Sequence, residues 1–294
     1  MKLLIIGQAV VDTIELVEGE TIFQPGGVHH VCSGISMVNS ETDKLFLCTS
    51  FDEESKTLFK KSFSIFNQRF VNKVDKIPHV YLKLFPDKER DEKYDSINQN
   101  LKTDFTDLKT FDGILLNMIT GFDVTIEQAE FIRKNFPGLI YFDVHTLSRG
   151  LDGQYNRIFR LIPAFERWAK SVDIIQVNEN EIKTVSKLKS ERKIADELFG
   201  YGIKIIIITK GDIGVRIYSK YKNEITSLFV SSLKINAVNT VGCGDVFGAV
   251  FFYNYIKIQN INLALQKAVH AASLTASGLN PQEIKNYLKC FPTE

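Results

Sequence analysis

The sequence predicts an α/β protein: a central, mostly parallel sheet flanked by helices, with a small β-rich lid. Three observations carry that prediction. Short apolar runs recur along the chain, helix-period segments separate them, and two stretches in the first third alternate polar and apolar residues. A run that is apolar throughout suits a strand buried on both faces, the condition of parallel strands covered by helices. Strands alternating with helices indicate βαβ units.

The first run is Leu3–Ile6, closing on Gly7. The others are Leu45–Cys48, Ile114–Leu116, Leu139–Phe142, Ile174–Val177 and Ile205–Thr209. Residues 205–208 are all Ile, so this strand belongs at the centre of the sheet. Helix-period segments lie at Glu53–Phe66, Thr125–Phe136, Tyr155–Ala169 and Arg192–Phe199. Beyond residue 239, Val246–Ile258 and Leu263–Ser277 predict two consecutive buried helices. Thr13–Phe23 and His79–Phe85 alternate, which suits half-exposed strands. They predict lid strands near 13–25 and 69–95 within one domain spanning 1–294. Two edge hairpins without a role are the competing reading. The charge-dense stretch Asp87–Asn100 reads as a solvated turn.

Hydrophobic residues make up 44% and charged residues 24% of 294, ordinary for a globular protein. The net charge of +1 gives no bulk attraction to nucleic acid or anionic membrane, so neither is expected as a partner. No segment approaches the ~20 apolar residues of a membrane span, and the opening apolar run is too short for a signal peptide. Cys32, Cys48, Cys243 and Cys290 are far apart and form no CxxC pair, which argues against structural zinc and fits a reducing compartment. A cytoplasmic location is the expectation.

The chemistry-bearing stretch is Asn239-Thr240-Val241-Gly242-Cys243-Gly244-Asp245-Val246-Phe247. Two glycines one residue apart permit positive φ and close backbone approach. A helix follows at once, and its first amides have no intrahelical partner. Turn and helix dipole together make an anion-binding hollow. An acid at its mouth would repel a resident anion. Asp245 makes chemical sense if it takes a proton from an attacking hydroxyl while the amides stabilise a transferring phosphoryl group. It makes equal sense as a helix N-cap.

These residues resemble the C-terminal signature D-T-x-G-A-G-D-x-F of the ribokinase (PfkB) family of sugar and nucleoside kinases. Thr240, Gly242, Gly244, Asp245 and Phe247 match, and Cys243 replaces Ala. The resemblance implies a ribokinase-like fold, with Asp245 as catalytic base and the Gly242, Cys243 and Gly244 backbone as anion hole. Asn239 departs from the family Asp that helps bind a monovalent cation. It keeps a carbonyl oxygen and lacks the charge, which weakens the implied K⁺ site.

Asn178-Glu179-Asn180-Glu181 resembles the N-x-x-E motif, implying phosphate and Mg²⁺ support from Asn178 and, through water, Glu181. Read alone it is a capped helix start. Thr209-Lys210-Gly211-Asp212-Ile213-Gly214 resembles the T-x-G-x-x-G nucleotide loop, implying ATP contacts at Thr209, Gly211 and Gly214. Read alone it is a strand-ending turn. His270 falls where the family has a residue near the adenine; without the resemblance it is a helix-packing histidine. Gly26-Gly27 resembles the first signature, G-G-x-x-x-N-x-A, with Val31 and Ser33 departing from it. Asp12 fits the family acid that binds substrate hydroxyls, a good use of a carboxylate. Asp143-Val144-His145-Thr146-Leu147-Ser148-Arg149 departs from D-x-N-x-R, with Arg149 two residues late. The motifs follow family order along essentially the whole chain.

The resemblance thus implies an ATP-dependent, Mg²⁺-assisted kinase acting on a hydroxyl of a sugar, nucleoside or small polyol, with homodimerisation through lid strands as in some relatives. A non-catalytic nucleotide or sugar sensor on the same fold is the alternative, motivated by Asn239, Val31 and the broken Asp143–Arg149 motif. A dinucleotide-dependent oxidoreductase fits poorly, because Gly7-Gln8-Ala9-Val10-Val11-Asp12 contains no GxGxxG.

Overall fold

The six apolar runs become six neighbouring parallel strands because each is buried on both sides. The computed structural model describes residues 1–85, 90–97, 100–103, 105, 107–154, 156–221 and 224–291. Strand β1 (Lys2–Ile6) leads into β2 (Ala9–Glu15), β3 (Thr21–Gly27), helix α1 (Val28–Val38) and β4 (Lys44–Phe51). Helix α2 (Lys56–Phe63), β5 (Asn67–Lys73), β6 (His79–Lys83), β7 (Asp91–Tyr94) and β8 (Gly113–Asn117) follow. Next come α3 (Ile126–Asn135), β9 (Leu139–Asp143), β10 (Arg149–Leu151), β11 (Arg157–Phe159), α4 (Phe165–Lys170) and β12 (Ile174–Asn178). The remainder is α5 (Glu191–Gly200), β13 (Ile205–Thr209), β14 (Gly214–Tyr221), β15 (Glu224–Ser231), α6 (Cys243–Ile258), α7 (Ile261–Ala276) and α8 (Pro281–Lys289).

The large sheet has the order β15-β14-β13-β12-β9-β8-β1-β4-β5. Its pairs are parallel except β13–β14 and β14–β15. Side chains alternate across it, so β1 sends Leu3 and Ile5 to one core and Leu4 and Ile6 to the other. Helices α1, α2, α6, α7 and α8 cover the first face, and α3, α4 and α5 the second. The lid is a separate four-stranded sheet, β3-β2-β6-β7. Its inner face carries Val10, Ile14, Val80, Leu82 and Tyr94; Phe23 and Tyr81 are exposed.

Helix α3 shows how local signals place an element. Thr125 caps its N-terminus and Gln128 returns a bond to the Thr125 amide, a complete capping box. Ala129 and Ile132 face the core.

Three expectations need correction. The Tyr155–Ala169 segment is not one helix. Residues 157–159 pair antiparallel with β10, and α4 starts only at Phe165. Pro163 accounts for this, since the residue before a proline is pushed out of the helical region and Pro itself cannot donate; residue 155 lies outside the described residues. The strand at 67–73, expected in the lid, pairs in parallel with β4 in the large sheet. The stretch read as a solvated turn contains β7, where Glu92 and Tyr94 are buried; residues 87–89 and 98–99 lie outside the described residues. Helices α1 and α8 and the β14–β15 hairpin had no sequence expectation. Among the described residues, no helix is long and apolar enough to cross a membrane.

Candidate active site

The parallel strands end in polar residues at one edge of the sheet. Asn117 closes β8, Asp143 closes β9, Asn178 closes β12 and Thr209 closes β13. Here β1 pairs with β4 on one side and β8 on the other, so chain order reverses direction beside Gly7. Ligands of open α/β sheets bind outside such an edge.

Helix α6 starts at this edge. Gly242 adopts φ 79° at its N-cap, the left-handed region that Gly favours, and contributes no side-chain cap. A Cβ there would sit 2.2 Å from the His30 ring. The Cys243 amide donates to the Thr240 carbonyl, and the Val246 amide to Gly242. The intervening amides of Gly244 and Asp245 belong to the first turn, whose donors an anion can satisfy. A Cβ on Gly244 would meet nothing closer than Gln176 Nε2 at 3.7 Å. Burial, then Asp245, pushes the Cys243 thiol up to about 12, so it stays protonated.

Asp245 is buried, and Asn117 Nδ2 donates to its Oδ1 at 2.6 Å. Gln176 Nε2 donates to Asp143 Oδ2 at 2.9 Å and to the Gly244 carbonyl at 3.0 Å. Tyr141 Oη donates to Gln176 Oε1, fixing that amide. The core thus ties the helix start to the strand ends. Burial, then the charges of Asp245 and Glu181, holds the Asp143 carboxyl well above the usual carboxylate range. Sequence reading missed Asn117, Tyr141 and Gln176, which lie in no motif. The polar ending of each apolar run was the signal that could have found Asn117 and Asn178 together.

At the end of β12, Asn178 Oδ1 accepts from the Asn180 and Glu181 amides, and Glu181 Oε2 accepts from the Asn178 amide. Glu181 is buried by this reciprocal cap. The Thr209–Gly214 segment turns with Ile213 N donating to the Lys210 carbonyl. Gly211 has φ 56°, and a Cβ added to it would meet nothing within 4 Å, so it forms an open rim; Gly214 has φ 139° and abuts the Val230 carbonyl. Asn239 Oδ1 accepts from the Val241 amide, so its carbonyl oxygen shapes the turn. His270 Nδ1 bonds Tyr287 Oη at 2.8 Å, and its ring meets Phe291 edge-on, so it packs α7 against the chain around α8. Among the described residues no group of three or more His, Cys, Asp or Glu is placed to hold a metal directly.

On the lid side, Asp12 lies on β2, buried, with His30 Nε2 3.8 Å away. Gly26 makes room for it: a Cβ there would fall 2.0 Å from Asp12 Oδ2. Gly27, at φ 62°, begins α1. Val31, where the resembled family has Asn, is an apolar core residue. Arg149 is buried with its guanidinium 4.3 Å from the Phe159 ring. A cavity of about 40 Å³ brings Asp12, Gly27, His30, His145, Gly242 and Asp245 together beneath Val80, Leu82, Glu92 and Tyr94 of the lid. His145, at φ 37°, is held below the usual imidazole range by burial. The structure therefore gathers Asp12, Gly27, Gly242 and Asp245 around one space; Gly26 abuts Asp12 behind it, and His270 is engaged with Tyr287 and Phe291.

Comparison with known proteins matches residues 155–286 to the pfkB family carbohydrate kinase model. The deoxyribokinase of Salmonella typhi is 27% identical over 181 residues, 60% of this chain and 53% of that protein. The chain thus spans about half the length of the deoxyribokinase relatives it matches. The fold is similar to a sulfate complex of a pyrophosphate-dependent kinase in the ribokinase family (TM-score 0.78, 17% identity, 99% and 100% coverage). It is also similar to a putative ribokinase II of E. coli in complex with ATP and Mg²⁺ (TM-score 0.76, 17% identity, 99% of each chain).

Proposed function

We propose, from the premise that this chain belongs to the pfkB family of carbohydrate kinases, that it transfers a phosphoryl group to a hydroxyl of a small sugar, nucleoside or related polyol. The observation that carries this reading is Asp245: a buried carboxylate at a helix start, oriented by Asn117, opening into a lid-covered cavity. Asp245 takes the hydroxyl proton as the acceptor oxygen bonds phosphorus. The Gly244 and Asp245 amides and the α6 dipole stabilise the charge on the transferred group. The bond broken is the one joining that phosphorus to the donor's departing phosphate oxygen. Asp12 accepts from acceptor hydroxyls, and the lid excludes water that would otherwise consume the donor.

Mg²⁺-ATP would supply the phosphoryl group and neutralise the phosphate charge. The features that would serve it are the open rim at Gly211, the first-turn amides of α6, and Glu181 beside Asp143. A second donor, pyrophosphate, is favoured by one observation. The ring expected beside an adenine, His270, contacts Tyr287 and Phe291 instead. For subunit contact, the exposed outer lid residues Phe23 and Tyr81 are the favoured surface.

The test is a phosphotransfer assay with Mg-ATP or Mg-pyrophosphate against D-ribose, 2-deoxy-D-ribose, myo-inositol and cytidine, with Asp245→Asn alongside. Acceptor-dependent donor consumption, lost in the variant, is the expected result. Turnover unaffected by the substitution sinks the assignment of the base; binding without product from any acceptor favours the sensor.

A further inference from the structure

The cavity facing Asp245 is walled on its lid side by a carboxylate that no motif marks. Glu92 sits on β7, 4% exposed. Its carboxylate oxygens are both buried, and neither accepts a hydrogen bond among the described residues. Arg90 Nη2 lies 3.5 Å from Oε2, within ion-pair range. Tyr94, two residues along the same strand face, gives its hydroxyl proton to the Ile119 carbonyl at 2.9 Å. Arg157, 7% exposed, spends Nη2 on the Thr120 and Thr146 carbonyls.

A buried carboxylate with unused acceptor capacity is costly unless something completes its bonding. The charge itself is compensated. Burial alone would raise the Glu92 pKa, but Arg90, then Arg149, His145 and Arg157, outweigh burial and hold it below the usual carboxylate value. Glu92 therefore needs hydrogen-bond donors more than it needs another cation. Asp12, 4% exposed, lines the same cavity with His30 Nε2 3.8 Å from its Oδ2. Val10, Val80, Leu82 and Ile119 give this cavity an apolar wall, and Arg90, His30 and His145 are the cationic or imidazole groups that share its lining.

From the geometry we propose that Glu92 is a second acceptor-recognising carboxylate, which with Asp12 grips a compact, uncharged polyol by hydroxyls on opposite sides of it once the lid has moved outward to admit it, the closed cavity of about 40 Å³ having room only for water. This rests on the kinase reading above and deepens it by assigning the acceptor class. A phosphorylated or carboxylated sugar would bring its charge against Asp12 and Asp245, while Arg90, the cation lining the cavity, is already paired with Glu92. A neutral polyol donates to Asp12 and Glu92 and leaves Asp245 for the reacting hydroxyl. Because Glu92 rides on the lid, its bond to the acceptor also holds the lid shut, so recognition and water exclusion act through one contact.

The test uses the full chain, wild type, Glu92→Gln and Glu92→Asp. Glu92→Asp preserves the charge facing the arginines while withdrawing the carboxylate, so it guards against misfolding of the Gln variant. The acceptors are D-ribose, myo-inositol, their deoxy analogues and ribose 5-phosphate. The expected result is that both variants raise the KM of the neutral acceptor about tenfold to a hundredfold, with the donor KM within twofold. One deoxy analogue should lose its disadvantage in the variants, because the hydroxyl it lacks has no partner left. A residue that only latches the lid would weaken every acceptor equally and leave that disadvantage intact. An acceptor KM within twofold of wild type in Glu92→Asp overturns the proposal, as does preference for ribose 5-phosphate over every neutral polyol. Loss of acceptor-dependent turnover in all three proteins, wild type included, instead sinks the kinase reading.

Discussion

The two sides of the cavity are built on different principles. The side proposed for the donor is backbone: the α6 first turn, the Thr209–Gly214 loop and the Asn178–Glu181 cap present amides and carbonyls whose positions follow from local chain geometry. The acceptor side is side chains brought from afar. Asp12 comes from β2, His30 from α1, Glu92 from β7, His145 from the chain after β9 and Asp245 from α6. A backbone site tolerates substitution where only the amide works, as Cys243 does in place of Ala. A side-chain site changes its ligand with each replacement. That contrast explains why the anion turn keeps the resembled form despite Cys243.

The largest effect should come where the two principles meet. Asp245 is placed by backbone and acts by side chain. Asp245→Asn should lower kcat by about 10²–10⁴-fold, the range of a lost general base. Acceptor and donor Kd should change little, and thermal unfolding should stay close to wild type, since Asn keeps the size and can still pair with Asn117. Asn117→Leu tests orientation alone: kcat should fall about tenfold with donor KM unchanged, and a fall in Tm without a fall in kcat would reduce Asn117 to a structural role.

What was legible in advance follows the same division. The six central strands could be read because each is apolar on both faces, and burial on two sides writes itself into consecutive residues. The α6 turn could be read because glycine spacing and helix start are local. Glu92 could not, because a charged run such as 90–93 normally faces water; its buried charge is compensated in part by Arg149 and Arg157, 57 and 65 residues further along the chain. Asn117 and Gln176 were hidden for a related reason. Each is a single polar residue at or near the end of an apolar strand, and only the sheet order shows that they face α6. Helix α1 was obscured by its entry through Gly26-Gly27, where Gly26 leaves the space for Asp12.

The same substitution on the two sides sharpens the comparison. Gly26→Ala drives a Cβ to within 2.0 Å of the Asp12 carboxylate. The carboxylate must move, and acceptor KM should rise about tenfold or more while donor KM holds. Gly211→Ala meets no atom within 4 Å, so its cost is that of φ 56° alone, about 1–2 kcal/mol. It should lower Tm by a few degrees and alter donor KM modestly. Equal effects on both KM values in Gly26→Ala would mean that the acceptor site is not organised around Asp12.

The smallest expected effect concerns pH. His29 borders His30 in α1, and its Nδ1 is buried without a hydrogen-bond partner among the described residues. Burial first, and the neighbouring His30 second, lower its pKa from 6.5 to about 3. The folded protein therefore holds His29 neutral, while the unfolded chain takes up a proton near pH 6.5. Stability from this group is complete above pH 6.5 and is lost progressively as pH falls toward 3. At pH 5.5 the loss is about 1.4 kcal/mol, or roughly 3–5 °C in Tm for a chain of this size. His29→Asn cannot take that proton. Its Tm should fall less than the wild type's between pH 7.5 and 5.5, by that margin. Parallel pH profiles for the two proteins would show that His29 reaches solvent when charged. The α1 side of the acceptor cavity would then be more open than the donor side, the reverse of what the lid implies.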